Sequence, residues 1–341
     1  MRRPGVARSH TALPGGRGCR QAQARGAGRA RQRGIALITA ILLVALGTML
    51  AATIGYENAM TARRGSAAFA FDQSIQIAQA AEAIAGYALQ QTRKADPTHT
   101  YLAQPWAMPY GPVEVVPGVT MEASLEDLQG RFNLNDLVKA DGSTDPAAVT
   151  ILQNLLTAVG LEPKWAQMIA DWIDSDTVPN NPDGAEDSVY LSQQPPYHTA
   201  NMLITSPSEL LAMPGFGADR YQRLAPYVTA LPFGTAVNIC TASNVLLDAL
   251  GPTGTTNFSD AEALAKNRTE GCFPTQSDFN AIFNGDTNAQ SAAAQRVGVV
   301  SNYFRLTSIV TIGSTQFALY SLLHQEGDLR VRPIQRSFTA D

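Results

Sequence analysis

An α+β fold is predicted by three features: a long helical pattern at the N-terminus, β-like runs in two separated stretches, and short helical segments between those stretches. The helix is expected to pack on a small antiparallel sheet. The block between the strands is expected to be a large, mostly α-helical domain inserted into that sheet. With 341 residues the chain has room for two domains of ordinary size.

The formal net charge of -4 hides an uneven distribution. Residues 1–34 carry nine arginines and no acidic residue, which leaves 16 basic against 29 acidic side chains, a net charge of -13, in the remainder. A basic leader before an acidic body is the pattern of an exported protein.

From Ile35 to Tyr56 the chain reads IALITAILLVALGTMLAATIGY, 22 residues without a charge or a proline. Such a helix rises about 33 Å, enough to cross a bilayer core. Arg29, Arg31 and Arg33 precede it, so the N-terminus is expected in the cytoplasm. A cleaved secretory signal or a plain anchor is the alternative, since Ala45-Leu46-Gly47 and Ala51-Ala52-Thr53 imitate small-x-small cleavage sites. Helical character continues from Ala59 to Arg93, with Ile75, Ala78, Ile84 and Leu89 as apolar positions, and Asp96-Pro97 ends it.

Val113–Val116 and Val119–Leu125 read as two strands around the turn Pro117-Gly118. Short helices are then expected over Pro146–Val159, Pro163–Trp172, Ser206–Met213, Ala218–Val228, Ser243–Leu250 and Ser259–Lys266. Strands return at Tyr303–Ile312, Gln316–His324 and Leu329–Ile334. The expected organisation is therefore a leader at 1–34, a membrane segment at 35–56, a helix with the first strands of a head at 57–132, an inserted domain at 133–298 and the last strands at 299–341.

Of three cysteines, Cys19 lies in the leader, leaving Cys240 and Cys272. In an oxidising compartment these form a disulfide that closes a loop of about 30 residues and contributes roughly 3 kcal/mol. Two buried free thiols are the other reading.

The densest polar feature runs from Asp171 to Asp187: Asp171, Asp174, Asp176, Asp183, Glu186 and Asp187 place six carboxylates within 17 residues. Like charges at this density repel unless a hard cation neutralises them, and calcium takes six to eight oxygens from flexible loops. The spacing is not that of an EF-hand, because Pro179 and Ala185 stand where glycine and glutamate are needed counting from Asp174. A solvated loop with helix-capping aspartates is the competing reading. No zinc-protease, nucleophile-elbow or phosphate-loop motif is present, and His99, His198 and His324 are isolated, so no enzyme is expected.

Ser208–Asp219 contains Pro214-Gly215-Phe216-Gly217 and looks like a helix-hairpin-helix, and Val237–Ser243 resembles the start of another. Only Arg220 and Arg223 follow the first hairpin in this acidic body, so a structural module is expected and no nucleic acid partner.

The junction Arg33-Gly34-Ile35-Ala36-Leu37 resembles the type IV pilin and pseudopilin signal. That resemblance implies cleavage between Gly34 and Ile35 by a prepilin peptidase, methylation of Ile35 and retention of the apolar helix. Mature position five, a glutamate in most of that family, is Thr39 here. The order of Gly130-Arg131-Phe132-Asn133-Leu134-Asn135, Asp171-Trp172-Ile173-Asp174-Ser175-Asp176, Gly184-Ala185-Glu186-Asp187, Tyr190, Tyr197, Asn201, the Glu209–Gly215 hairpin and the two cysteines is similar to the K-class minor pseudopilins of type II secretion systems. This resemblance covers most of the mature chain.

The resemblance implies a pseudopilin head with an inserted α-domain that binds Ca2+. Charge and family together map the ion onto Asp174, Asp176, Glu186 and Asp187, with Asp171 and Asp183 as secondary candidates. It also implies a place in the bacterial inner membrane with the main domain periplasmic, at the tip of a pseudopilus. The implied partners are I- and J-class minor pseudopilins, the major pseudopilin, and secreted cargo or the outer-membrane secretin. A minor pilin-like protein of a type IV pilus or DNA-uptake apparatus, using the α-domain for binding, is the second reading.

Overall fold

The computed structural model describes residues 32–252, 254, 258, 261–268, 271–273, 277, 279, 293–327 and 329–339. Most of the expected leader, and the first residues of the helix expected at Ser259, lie outside this set. The chain divides into two units, one ending at Ala67 and the other running from Ala68 to Asp341. The expected boundaries near 133 and 298 both fall inside the second unit.

One helix, α1 (Gln32–Ala95), includes the apolar N-terminal run. In the first unit its side chains from Ile35 to Tyr56 are solvent-exposed, and the segment is long and apolar enough to cross a membrane. Thr39 donates its hydroxyl to the carbonyls of Ile35 and Ala36 at 3.1 and 3.0 Å. The one polar group where the pilin family carries a glutamate is thus satisfied within its own helix.

In the second unit α1 lies on a five-stranded sheet, as the sequence predicts. The strands are β1 (Tyr110–Val116), β2 (Val119–Asp127), β3 (Tyr303–Ile312), β4 (Thr315–Gln325) and β5 (Val331–Ser337), hydrogen-bonded antiparallel in that spatial order. Tight turns at Gly118 (φ +79°) and Gly313 (φ +60°) join β1 to β2 and β3 to β4 in a left-handed backbone conformation that glycine adopts without strain. Alternation along β2, β3 and β4 turns Val119, Met121, Phe304, Leu306, Val310, Leu319 and Leu323 toward the helix. The helix answers with Ala78, Ala81, Ala85 and Leu89 at three- and four-residue spacing, mostly small side chains that let it lie close to the sheet.

The last strand departs from expectation. Leu329 has φ +70° and belongs to the turn, so β5 begins at Val331 and continues to Ser337 in register with Tyr320. The pairing with β4, rather than local β-propensity, sets its limits.

β2 pairs with β3 along its whole length, from Val119↔Ile312 to Asp127↔Phe304. Everything between them, residues 128–302, is an insertion into one sheet. Among the described residues its helices include α2 (Pro146–Ala158), α3 (Trp165–Ile173), α4 (Asp187–Tyr190), α5 (Gly217–Leu224), α6 (Asn244–Ala249) and α7 (Ala261–Asn267). They share a core that includes Leu137, Leu152, Leu155, Ile169, Leu210, Phe216 and Leu246.

Two expected features take other forms. The first arm of the hairpin, Pro207–Ala212, is a 3-10 segment opened by a Ser206/Glu209 capping box. Val237–Asn238, expected to begin a second hairpin unit, is instead a short strand parallel to Val297–Gly298. A second short parallel ladder joins Phe132–Asn133 to Val228–Thr229.

At the end of β2, the buried Asp127 carboxylate ties the insertion to the sheet. One oxygen accepts from the Gln129 amide at 2.9 Å, and the other accepts from Asn238, Thr241 and Ser301 at 3.1, 2.6 and 2.5 Å. Four donors oppose the cost of burying this carboxyl, although burial still holds it above its usual range.

Candidate cation site and family

The acidic run begins where α3 stops. Asp174 caps α3 with an extended backbone and donates its N–H to the Ala170 carbonyl, so the following residues leave the helix as a loop. Carboxylate oxygens of Asp174, Asp176 and Glu186 come within 4.8 Å of one another. Asp174 is 1 % exposed and Glu186 3 %.

Burial, reinforced by the neighbouring carboxylates, pushes the Asp174 carboxyl up to about 6 and the Glu186 carboxyl up to about 7. Hydrogen bonding from Thr144 and the nearness of Thr199 oppose these shifts without cancelling them. Three acids held this close, Asp174 and Glu186 buried and Asp176 exposed at the edge, are costly in the ionised state unless a positive charge joins them.

The pattern of unmet hydrogen bonds supports the same reading. Asp174 Oδ1, both Glu186 Oε atoms, Thr199 Oγ1 and Asn201 Oδ1 are buried oxygens without a hydrogen-bond partner. All belong to residues 174–201. Asn201, at φ +47°, is drawn to the loop by hydrogen bonds from its amides to the carbonyls of Trp172 and Asp176, at 3.1 and 3.0 Å. Buried native oxygens are rarely left unpaired, and a set of carboxylate, amide and hydroxyl oxygens is the donor chemistry of a hard cation such as calcium.

The other three acidic residues take different places. Asp171 is fully buried, and its oxygens accept from the backbone amide of Asn180 at 3.2 Å and from the Asn180 side chain. It shapes the loop from behind. A Cβ at Gly184 would lie 2.3 Å from both the Asn180 nitrogen and Asp171 Oδ2, so only glycine fits this turn. Asp187 turns away to His198 Nδ1 at 2.9 Å and to the Thr199 amide at 3.0 Å, and these bonds hold its carboxyl below the usual range. Asp183 is exposed and outside the group of converging oxygens. Thr199 and Asn201 were not among the sequence-based ligand candidates, because neither carries charge and both lie beyond the acidic run.

Elsewhere in the insertion, Cys240 and Cys272 form the disulfide, with Cα atoms 4.5 Å apart. The two basic residues of the hairpin are engaged internally. Arg220 donates to the carbonyls of Gly215 and Phe216 and lies over the Trp165 ring, while Arg223 pairs with Asp219.

An apolar N-terminal helix continuing onto an antiparallel sheet, with a helical insertion between two paired strands, defines a pilin-like protein with an elaborated head. Residues 130–233 match the family described as type II secretion system (T2SS), protein K. Type II secretion system protein K of Pseudomonas aeruginosa is 31% identical over 317 residues, covering 90% of this chain and 93% of the relative. That of Klebsiella pneumoniae is 33% identical over 311 residues, covering 87% and 94%. A chain in the crystal structure of the GspK-GspI-GspJ complex from the enterotoxigenic Escherichia coli type 2 secretion system superposes with a TM-score of 0.72 at 28% identity, covering 82% of this chain and 100% of that one. The chain belongs to the type II secretion system protein K family, the K-class minor pseudopilins.

Proposed function

We propose that this protein acts at the tip of the periplasmic pseudopilus of a type II secretion system. There it initiates or caps assembly together with I- and J-class minor pseudopilins and supports export of folded proteins across the outer membrane. The observation that carries this reading is the insertion of residues 128–302 between adjacent strands of one pilin-like sheet, in a chain similar over most of its length to one crystallised with GspI and GspJ. So bulky a head is hard to cover with a further subunit, which suits an end position. Thr39 fits the same role, because its hydroxyl bonds within its own helix and offers no carboxylate to a neighbour.

In this reading α1 anchors the protein in the inner membrane with its N-terminus cytoplasmic, after a prepilin peptidase cuts between Gly34 and Ile35. No catalytic role is assigned. Calcium is the proposed cofactor, held by Asp174, Asp176 and Glu186 with Thr199 and Asn201 near at hand. The ion would supply the charge that the three carboxylates lack and so stabilise the loop around Asp171.

The test is co-purification of the full-length chain, in detergent, with its I- and J-class counterparts, together with N-terminal sequencing of the mature protein. A stable complex and an N-terminus at Ile35 are expected. A chain that assembles with neither counterpart, or that begins elsewhere, overturns the reading.

A further inference from the structure

A cleft of about 360 Å³ opens between the sheet and the insertion, within the second unit. Its floor is a row across three strands, Arg305 on β3, Leu322 on β4 and Gln335 on β5, paired in direct register. One wall comes from the insertion, where Tyr221 and Gln222 of α5 face the opening. Arg131 joins wall to floor, donating to the Ala225 carbonyl at 3.1 Å and to Glu126.

The charge of this cleft is unlike that of the body around it. After residue 34 the chain carries 16 basic against 29 acidic side chains, yet two arginines and no carboxylate line the cleft. Arg131 and Arg305 share one acidic partner, Glu126, the direct register neighbour of Arg305 on β2, which Arg305 meets at 2.6 Å. Burial pushes the Glu126 carboxyl up, but the two guanidiniums outweigh it and hold it below its usual value. Glu126 is therefore ionised, and the trio keeps a surplus of one positive charge. Arg305 uses only Nη2, and its other nitrogens have no protein partner among the described residues. The surplus charge thus has free donors at the floor, beside Leu322 and Tyr221.

We propose that this cleft receives an acidic, extended segment of a second pilin-like subunit, its carboxylate pairing with Arg305 and its apolar neighbours lying against Leu322 and Tyr221. The proposal rests on the tip-complex reading, which supplies such subunits. A guanidinium with unengaged N–H donors at the base of a mixed polar and apolar cleft is well matched to a protein carboxylate, and complementary charge governs both rate and specificity of docking. A purely apolar helix would leave the Arg305 donors desolvated and unpaired.

The decisive variant is Gln222→Glu, because Gln222 is exposed and its side chain makes no hydrogen bond among the described residues, so the change adds one negative charge at the mouth without disturbing the core. Affinity of the full-length chain for its I- and J-class counterparts is measured in detergent for the wild type, Gln222→Glu, Gln222→Lys and Arg305→Gln. Gln222→Glu and Arg305→Gln are expected to weaken the complex about tenfold, and Gln222→Lys to leave it as tight or tighter. Wild-type affinity in Gln222→Glu, or equal losses in Gln222→Glu and Gln222→Lys, overturns the cleft proposal alone. Failure of the wild type to bind overturns the tip-complex reading and the cleft with it.

Discussion

Glu82 and Arg336, 254 residues apart, are joined by two parallel hydrogen bonds of 2.7 Å, Arg336 Nε and Nη2 each donating to one oxygen of the Glu82 carboxylate. Ser321 donates to the same carboxylate at 2.6 Å. Helix α1, β4 and β5 are thus fastened at one buried acid that is 7 % exposed. Replacing Arg336 with methionine leaves that acid without its counter-charge, and is expected to cost about 2 kcal/mol, below the usual range for a buried pair because Arg336 is half exposed. Glu82→Gln should cost less, since it leaves only an exposed arginine unpaired. Chemical denaturation of both variants checks this order.

Calcium is expected to raise the melting temperature of the wild type. At a hundredfold excess over the dissociation constant the gain is about 2.7 kcal/mol by mass action. The Asp174→Asn/Asp176→Asn variant should lose that gain. In chelator it should melt no lower than the wild type, because removing like charge from the cluster relieves repulsion. Identical wild-type melting curves with calcium and with chelator would exclude a cation site here.

Gly184→Ala tests the loop rather than the ligands. The added methyl meets backbone at Asn180 and the Asp171 carboxylate, so the loop has to shift at a cost of about 1–3 kcal/mol. Calorimetric titration should show weaker calcium binding although all three proposed ligands are intact. Unchanged affinity would mean that the turn does not shape the site.

Asp136, outside the acidic run, gives a separate pH dependence. Burial pushes its carboxyl up from 3.8 to about 6, against the opposing Gly234 amide bond of 2.7 Å and the nearby Arg296 charge, with Asp145 adding to the shift. Between these values the folded protein holds a proton that the unfolded chain releases, so this group's contribution to stability falls as pH rises through the window. Asp136→Asn keeps an oxygen for Gly234 and removes the titration. It is expected to be more stable than the wild type near neutral pH, with the advantage shrinking toward the unfolded value. Melting curves across that range measure it.

The Cys240–Cys272 bridge closes a separation of 32 residues within the insertion. Replacing both cysteines with serine is expected to cost about 3–4 kcal/mol, from chain entropy in the unfolded state. Denaturant titration of the oxidised wild type and the double variant gives the difference.

Much of the fold was legible because local pattern and packing agree. The helical pattern ending before Asp96-Pro97 is one helix to Ala95, and the alternation at Tyr303–Ile312 is a strand with those limits. Where they disagree, packing prevailed: the local run Leu329–Ile334 reads as a strand, but pairing with β4 sets the limits of β5 at Val331–Ser337. In the acidic run the difficulty was different. Six carboxylates stood out by density, yet density does not say which of them share a point in space.

By itself, the amino-acid sequence determined the apolar helix after Gly34, the interruption of a small sheet by a helical block, and the accumulation of negative charge after α3. These are properties of neighbouring residues, and periodicity and charge density record them. Only the tertiary structure decided that Asp174, Asp176 and Glu186 converge, that Asp171 and Asp187 turn to Asn180 and His198, and that Thr199 and Asn201 arrive from beyond the run. The reason is that convergence depends on burial and on hydrogen bonds between residues far apart in the chain, which no local pattern encodes.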